Sequence, residues 1–259
     1  MTRLLHITDL HVRPLADQML AGILPDINLK AVLSEAHQLY TKFDLIIISG
    51  DLAQDPCLAS YQRIRDILTP YQTPVLSVPG NHDDLEMMHS ILHNAAFSCA
   101  AKLDIQDWQI ICVNSQQADS NQGWISPDEM QKLQQAFIRP VPSLLVLHHH
   151  FLDTGSPWMD RMKIKNAEEF LEVIAQQHQL KLVVHGHVHQ ELQWAFEGIE
   201  IVATPSTAVQ FAPLASHFQL TTAAPGFRMI ELKANGTFTS QCHYLSNPPQ
   251  TADLISKAY

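Results

Sequence analysis

Short apolar runs recur along this chain, and five of them end abruptly in polar residues with metal-binding or acid–base chemistry. Residues 4–7, 45–48, 75–78, 108–113, 144–147 and 182–184 read as strands. Their apolar positions hardly alternate, which is the mark of burial on both faces. Between them the spacing turns helical. Residues 28–40 carry Ala31, Ala36, Leu39 and Tyr40 on one side, with Asn28 as a candidate cap. Residues 61–68 are stopped before Pro70, and 85–93 form a third helix. Ser126-Pro127-Asp128-Glu129 places Ser at a cap, Pro at the first helical position and Glu three residues beyond the cap, opening a helix to about Phe137. Asn166 to Glu169 repeats the cap-plus-Glu pattern and opens a helix to about His178.

The texture then changes. Residues 192–196, 199–203, 227–232 and 237–244 read as shorter strands joined by turns such as Glu197-Gly198 and Asn235-Gly236. Strands alternating with helices, followed by a run of strands, indicate a layered α/β fold. Two mostly mixed β-sheets packed face to face with helices outside, a four-layer α-β-β-α sandwich, would bury both faces of the apolar strands. No repeat, low-complexity linker or boundary divides residues 1–259, so a single domain is expected, with a C-terminal tail from about Ser246.

Composition narrows the partners. The chain has 259 residues, 46% hydrophobic and 16% charged, enough for a sizeable core. Its formal net charge of -10 argues against a nucleic-acid polymer or an anionic membrane, both of which need a basic surface. No apolar run approaches the roughly 20 residues of a membrane span. The N-terminal apolar run is interrupted by Asp9 and His11 and reads as a strand, not a signal peptide. Cys57, Cys99, Cys112 and Cys242 are scattered, which suits a reducing, cytoplasmic setting. Oligomeric state leaves no mark. The histidines are localised: of 15, eight fall in four short clusters.

Those clusters sit at strand ends. The apolar runs lead into Thr8-Asp9-Leu10-His11, Ser49-Gly50-Asp51, Gly80-Asn81-His82-Asp83, His148-His149-His150 and His185-Gly186-His187-Val188-His189. Taken singly, each is an ordinary turn. Ligands of α/β sheets bind beyond the carboxyl ends of strands, however, so Asp9, His11, Asp51, Asn81, His148, His187 and His189 can converge. That is too many donors for one tetrahedral ion. It suits two ions of higher coordination sharing a carboxylate, with Asp51 the natural bridge. Imidazole, carboxylate and amide oxygen favour iron, manganese, zinc or cobalt over a thiolate-bound ion.

In order, these motifs resemble the calcineurin-like metallophosphoesterase superfamily, whose signature is D-x-H, GD, GNH[DE], H and GHxH. The resemblance covers almost the whole chain. It narrows through Ser49 to Asp55, Trp158-Met159-Asp160 with Lys165 to Glu169, His185 to Leu192, and Ala203 to Thr207 with Val209-Gln210-Phe211. These stretches resemble the bacterial class III cyclic-nucleotide phosphodiesterases, the CpdA (Icc) type. Phe151 stands where relatives usually have Pro, which could alter the pocket wall. The N-terminus also starts close to the first strand, without the leader some relatives carry.

The resemblance implies hydrolysis of 3',5'-cyclic AMP to 5'-AMP by a hydroxide bridging two metal ions, iron with manganese or zinc. It implies Asp9, His11, Asp51 and His189 on one ion, and Asp51, Asn81, His148 and His187 on the other. His11, Asn81, His82 and His189 would also contact the substrate phosphate. His82 would protonate the leaving ribose oxygen, with Asp83 on its other nitrogen as orienter; both are the catalytic candidates. Such a site is locally positive inside an acidic protein, which reconciles the net charge with a small nucleotide substrate. His149, His150 and His185 are expected to be structural. Trp158, Met159 and residues 204–211 could wall the nucleotide. Two other readings stay open: a broad-specificity phosphodiesterase acting on glycerophosphodiesters or other cyclic nucleotides, and a non-catalytic scaffold, which should show substituted ligands where this chain has every one.

Overall fold

The computed structural model describes residues 1–94 and 96–256. Along the chain run β1 (Thr2–Ile7), α1 (Pro25–Leu39), β2 (Leu45–Ser49), α2 (Leu58–Leu68), β3 (Val75–Val78), α3 (Leu85–Leu92), β4 (Phe97–Ser98), β5 (Lys102–Ile105) and β6 (Trp108–Cys112). Then come α4 (Pro127–Ala136), β7 (Ser143–Val146), α5 (Pro157–Asp160), α6 (Ala167–Ala175) and β8 (Leu180–His185). Strands follow: β9 (Leu192–Phe196), β10 (Ile199–Ala203), β11 (Gln210–Phe211), β12 (Leu220–Thr221), β13 (Gly226–Leu232) and β14 (Phe238–Tyr244).

Two six-stranded sheets form, ordered β14-β13-β1-β2-β3-β4 and β5-β6-β7-β8-β10-β9. Each has a parallel centre with antiparallel strands at an edge: β13 and β14 in the first, β5 and β9 in the second. The period of two in each strand explains why the central runs are apolar throughout. In β2, Ile46 and Ile48 face the helices with Leu29 and Leu33 of α1 and Ile64 of α2. Leu45 and Ile47 face the other way, packing with Leu144, Val146 and Val184 of the second sheet. On that sheet's outer face, Leu145 and Val183 meet Met130 and Leu133 of α4 and Phe170 and Ile174 of α6. Helices, sheet, sheet, helices is the expected four-layer order, and it aims the carboxyl ends of β1, β2, β3, β7 and β8 at one place.

Some local expectations are corrected. Asn28 is not a cap: α1 begins at Pro25, whose missing N–H costs nothing in a first turn. Asn28 is buried within the helix and donates its side-chain amide to Ala208 O at 3.1 Å. Asn166 precedes α6 but makes no capping bond. Its amide pairs with the backbone of Ile125 instead, at 3.1 and 2.9 Å, and the helix stops at Ala175, short of His178. Ser126 does cap, accepting from Glu129 N at 3.2 Å. Phe151 packs edge-on against Phe170 at 4.9 Å in the helix–sheet core and does not wall the cavity. The segment after Ser246 folds back onto the 20–24 loop: Leu24 N donates to Gln250 Oε1 (2.7 Å) and Asp253 N to Ala21 O (2.8 Å). The last three positions of that expected tail, 257–259, lie outside the described residues. Among the described residues no helix is long and apolar enough to cross a membrane.

Candidate metal centre

Where the strands end, the backbone turns sharply. Asp9, His11, Asp51, His187 and His189 all have positive φ, at 51°, 48°, 48°, 69° and 49°. Left-handed backbone costs a non-glycine residue on the order of 1–3 kcal/mol, and it redirects the side chain out of the strand's alternation. Cross-loop hydrogen bonds sustain the turns: Asp9 N to Gly50 O at 3.1 Å, and His11 N to Asp51 O at 3.0 Å. Two glycines allow the loops to close together. A Cβ on Gly80 would collide with the Asp51 carboxylate, and one on Gly186 with the Thr8 hydroxyl and the Asp9 carboxylate.

All seven expected ligands converge, and they come from both sheets. Asp9 Oδ1 lies 3.2 Å from His189 Nε2, which lies 3.3 Å from His11 Nε2. Asp51 Oδ2 stands 3.8 Å from His11 Nε2 and 3.4 Å from His148 Nε2. His148 Nε2 is also 3.1 Å from Asn81 Oδ1. A ligand atom of His187 falls within 4.8 Å of those of His148 and His149. All but Asn81 are buried.

The protons decide what this arrangement can hold. His148 Nδ1 sits 2.8 Å from Ser49 O, and His189 Nδ1 2.7 Å from Val209 O. A carbonyl only accepts, so both Nδ1 atoms carry hydrogen. In the neutral rings Nε2 is then a bare lone pair, aimed at the oxygens of Asn81, Asp51 and Asp9. Lone pairs facing one another at such distances repel unless a cation or a proton lies between them. His187 Nε2 is buried without a hydrogen-bond partner in the structure. The donor set thus fits two metal ions, with the outer nitrogens of His148 and His189 fixed by carbonyls as is usual for metal-bound histidines.

Electrostatics agree. Burial drives His11 down to about 3, against the opposing pull of Asp51, and drives His187 well below its usual range. A neutral imidazole is the form that binds metal. At His148 burial is outweighed by the charge and hydrogen bond of Asp51, which hold its pKa up at about 9. Burial opposes ionisation of Asp51, yet neighbouring imidazoles, His148 foremost, hold its carboxyl well below the ordinary range. In the metal-free molecule a proton on His148 occupies the place of a cation.

His82 reaches the same centre. Its backbone N donates to Asp51 Oδ1 at 2.9 Å, and its ring lies edge-on to His11 at 5.2 Å. Its Nδ1 is 3.3 Å from Gln54 O. The expectation that Asp83 orients His82 is therefore corrected. Asp83 Oδ1 accepts from Ala53 N and the Tyr61 hydroxyl, and Oδ2 from Leu52 N and Gly80 N, at 2.9–3.1 Å. A carboxylate has about four acceptor positions, and these four donors fill them. Burial and the nearby Asp51 raise the Asp83 pKa to about 6. Gln116 closes the loop from the second sheet, its amide donating to Gly80 O at 2.8 Å and Asp83 O at 2.5 Å.

Several side chains support the ligands from behind. Thr8 donates to Asp9 Oδ2 at 2.7 Å and Ser206 to Asp9 O at 2.8 Å. Thr8's place beside the D-x-H motif was its only signal. Behind them His6 bridges Ser49 Oγ (2.7 Å) and Thr204 Oγ1 (2.8 Å), and Thr204 accepts from the buried Arg228 at 3.1 Å. His149 pairs with the Ser115 hydroxyl at 2.9 Å. A cavity of about 270 Å³ opens onto the ligands, with Trp158, Met159 and Phe211 on its far wall. Residues 204–209 are absent from that lining and serve as buried scaffold.

A family model described as calcineurin-like phosphoesterase matches residues 2–191. The chain is 37% identical over 261 aligned residues to the 3',5'-cyclic adenosine monophosphate phosphodiesterase CpdA of Escherichia coli K12, covering 99% of this chain and 94% of that protein. It is 33% identical to the CpdA of Vibrio vulnificus, over 99% of this chain and 95% of that one. Among solved structures it resembles a dimetal phosphatase from Danio rerio with a TM-score of 0.62 at 12% identity, covering 95% of this chain and 99% of that one.

Proposed function

Because the chain belongs to the calcineurin-like phosphoesterase family, we propose that it is a metal-dependent phosphodiesterase that hydrolyses 3',5'-cyclic AMP to 5'-AMP. The observation that carries the chemistry is the convergence of seven metal-donor side chains, with Nε2 of His148 and His189 turned towards the oxygens of Asn81, Asp51 and Asp9. The choice of ester rests on the near full-length likeness to the phosphodiesterases above.

In this reading Asp9, His11 and His189 hold one ion, Asn81, His148 and His187 the other, and Asp51 both. The pair, iron with manganese or zinc, would activate water, bind the phosphate oxygens and neutralise charge built up in the transition state. The protein's part is placement. Ser49 and Val209 carbonyls fix the rings of His148 and His189 with Nε2 inward. Thr8 and the His187 N–H hold the Asp9 carboxylate. His11, Asn81, His82 and His189 surround the phosphate. Protonated His82 keeps its Nδ1 hydrogen on Gln54 O and gives the Nε2 proton to the departing 3' oxygen. Asp83 serves by shaping the Gly80–Asp83 turn. The setting we propose is cytoplasmic: Cys57, Cys99, Cys112 and Cys242 are free thiols. One domain, with the segment after Ser246 docked on it, does the work.

Turnover of cyclic AMP, cyclic GMP, a 2',3'-cyclic nucleotide, a glycerophosphodiester and a phosphomonoester, each with manganese and with a chelator, tests the proposal. Cyclic AMP should lead, and the chelator should abolish every rate. Equal rates across the panel would remove the cyclic AMP assignment and leave a broad phosphodiesterase.

A further inference from the structure

The cavity has a second wall that phosphate chemistry does not need. Trp158, Phe211 and Phe218 meet there edge to face: Trp158 and Phe211 at 5.3 Å and 70°, Trp158 and Phe218 at 5.6 Å and 85°, Phe211 and Phe218 at 5.5 Å and 71°. Phe211 lies flat against the ring of His189, centroids 4.1 Å and planes 15° apart. The aromatic wall therefore starts one ring away from the metal end. Met159 and Met162 extend it. Among the described lining residues, Asn121 is the one amide outside the cluster of ligands.

Rings and thioethers give a phosphodiester nothing, because it is satisfied by cations and N–H donors. They suit a flat, polarizable group attached a short distance from the phosphorus. A glycerol diester carries no such group; a cyclic nucleotide does. The cavity's 270 Å³ lies just under the roughly 300–1,000 Å³ of small-molecule sites, a size that suits one nucleotide.

Resting on the phosphodiesterase reading, we propose that Trp158, Phe211 and Phe218 form the nucleobase subsite, and that Asn121 meets the base edge. The rings take the face of the base. The Asn121 amide both donates and accepts, so it matches an edge with an amino group beside a ring nitrogen, as adenine presents. The subsite selects esters that carry a base over esters that do not.

The test compares kcat/KM for cyclic AMP with that for methyl riboside 3',5'-cyclic phosphate, which keeps the ring ester and lacks the base. Stacking on an aromatic side chain is worth roughly 5- to 150-fold per base, so Phe218→Ala should lower the cyclic AMP preference about tenfold. Phe218→Tyr should restore most of it. Phe218→Leu keeps apolar volume if the alanine variant folds poorly, and it too should lower the ratio. An unchanged ratio overturns the subsite, whether both rates fall together or neither moves. Equilibrium binding of AMP and of ribose 5-phosphate to the metal-loaded protein reads the same wall without turnover. Phe218→Ala should shrink the advantage of AMP, and equal weakening of both ligands overturns the proposal. A protein that prefers AMP through Phe218 yet leaves cyclic AMP uncut would overturn the phosphodiesterase reading and keep the subsite.

Discussion

At Asp83 one carboxylate accepts from three backbone N–H groups and the Tyr61 hydroxyl, and so fixes the turn that carries Asn81 and His82. Tyr61 in turn accepts from Asp84 N at 2.7 Å, tying the same turn to α2. Asp83→Asn would place an amide NH2 against those donors. Leaving a buried donor unsatisfied costs about 1–3 kcal/mol. The variant should melt several degrees lower and lose at least about tenfold in kcat through a displaced Asn81 and His82. A thermal melt and steady-state rates check both, and wild-type values in each would show the turn does not depend on Asp83. The sequence suggested a different job because Asp83 follows His82. Neighbours in a turn point apart, and only the fold shows that the Gln54 carbonyl, 28 positions away, takes the His82 nitrogen.

Elements were more legible than contacts. The central strands could be read from their apolar runs because burial on both faces leaves no polar interruption. The four-layer order followed, because each such strand needs two apolar neighbours. β4, β11, β12 and the single turn of α5 escaped because they are too short to carry a period, and β5 because its half-exposed Lys-Leu-Asp-Ile holds no apolar run. The cap at Ser126 was legible because Pro127 and Glu129 reinforce it, whereas Asn166 had a better partner across the fold in Ile125. The ligands were readable as a set because each follows a strand end. The left-handed backbone of five of them was not, because Asp and His adopt it in only a minority of cases. The turn at Gly186 is the sharpest test at this scale. Gly186→Ala puts a Cβ against Thr8 and Asp9, and the required shift displaces His187 and His189. Overpacking of this kind costs about 1–3 kcal/mol. Metal titration of the variant should show affinity weakened at least about tenfold, as disturbed supports of metal ligands do. Unaltered affinity would mean the loops are not in close contact.

Across the whole molecule, buried neutral histidines make the protein sensitive to acid. His6 is lowered from 6.5 to about 3, chiefly by burial and then by Arg228, and His185 to about 4, chiefly by burial. Below about pH 6.5 the unfolded chain binds protons that these folded rings refuse, so stability falls as pH falls. It is lost progressively down to the folded pKa values, at up to about 1.4 kcal/mol per pH unit for each histidine. The metal-free protein should therefore melt markedly lower at pH 5 than at pH 7, and His6→Gln should flatten that dependence. A melting temperature level across this range would mean the rings are not held neutral. The sequence could count the histidines but not bury them, which is why the acid response was hidden in it.

Net charge, cavity size and ligand set meet in one claim: this acidic protein cleaves a small phosphodiester on two metal ions held by residues from both sheets. Titrating the metal-free protein with manganese while following cyclic AMP turnover tests it most directly. The account predicts that activity rises from nothing to a plateau at about two equivalents per chain, and that Asp51→Asn, lacking the shared carboxylate, never reaches it. Full turnover without metal, or saturation at one equivalent with Asp51→Asn unimpaired, would contradict it.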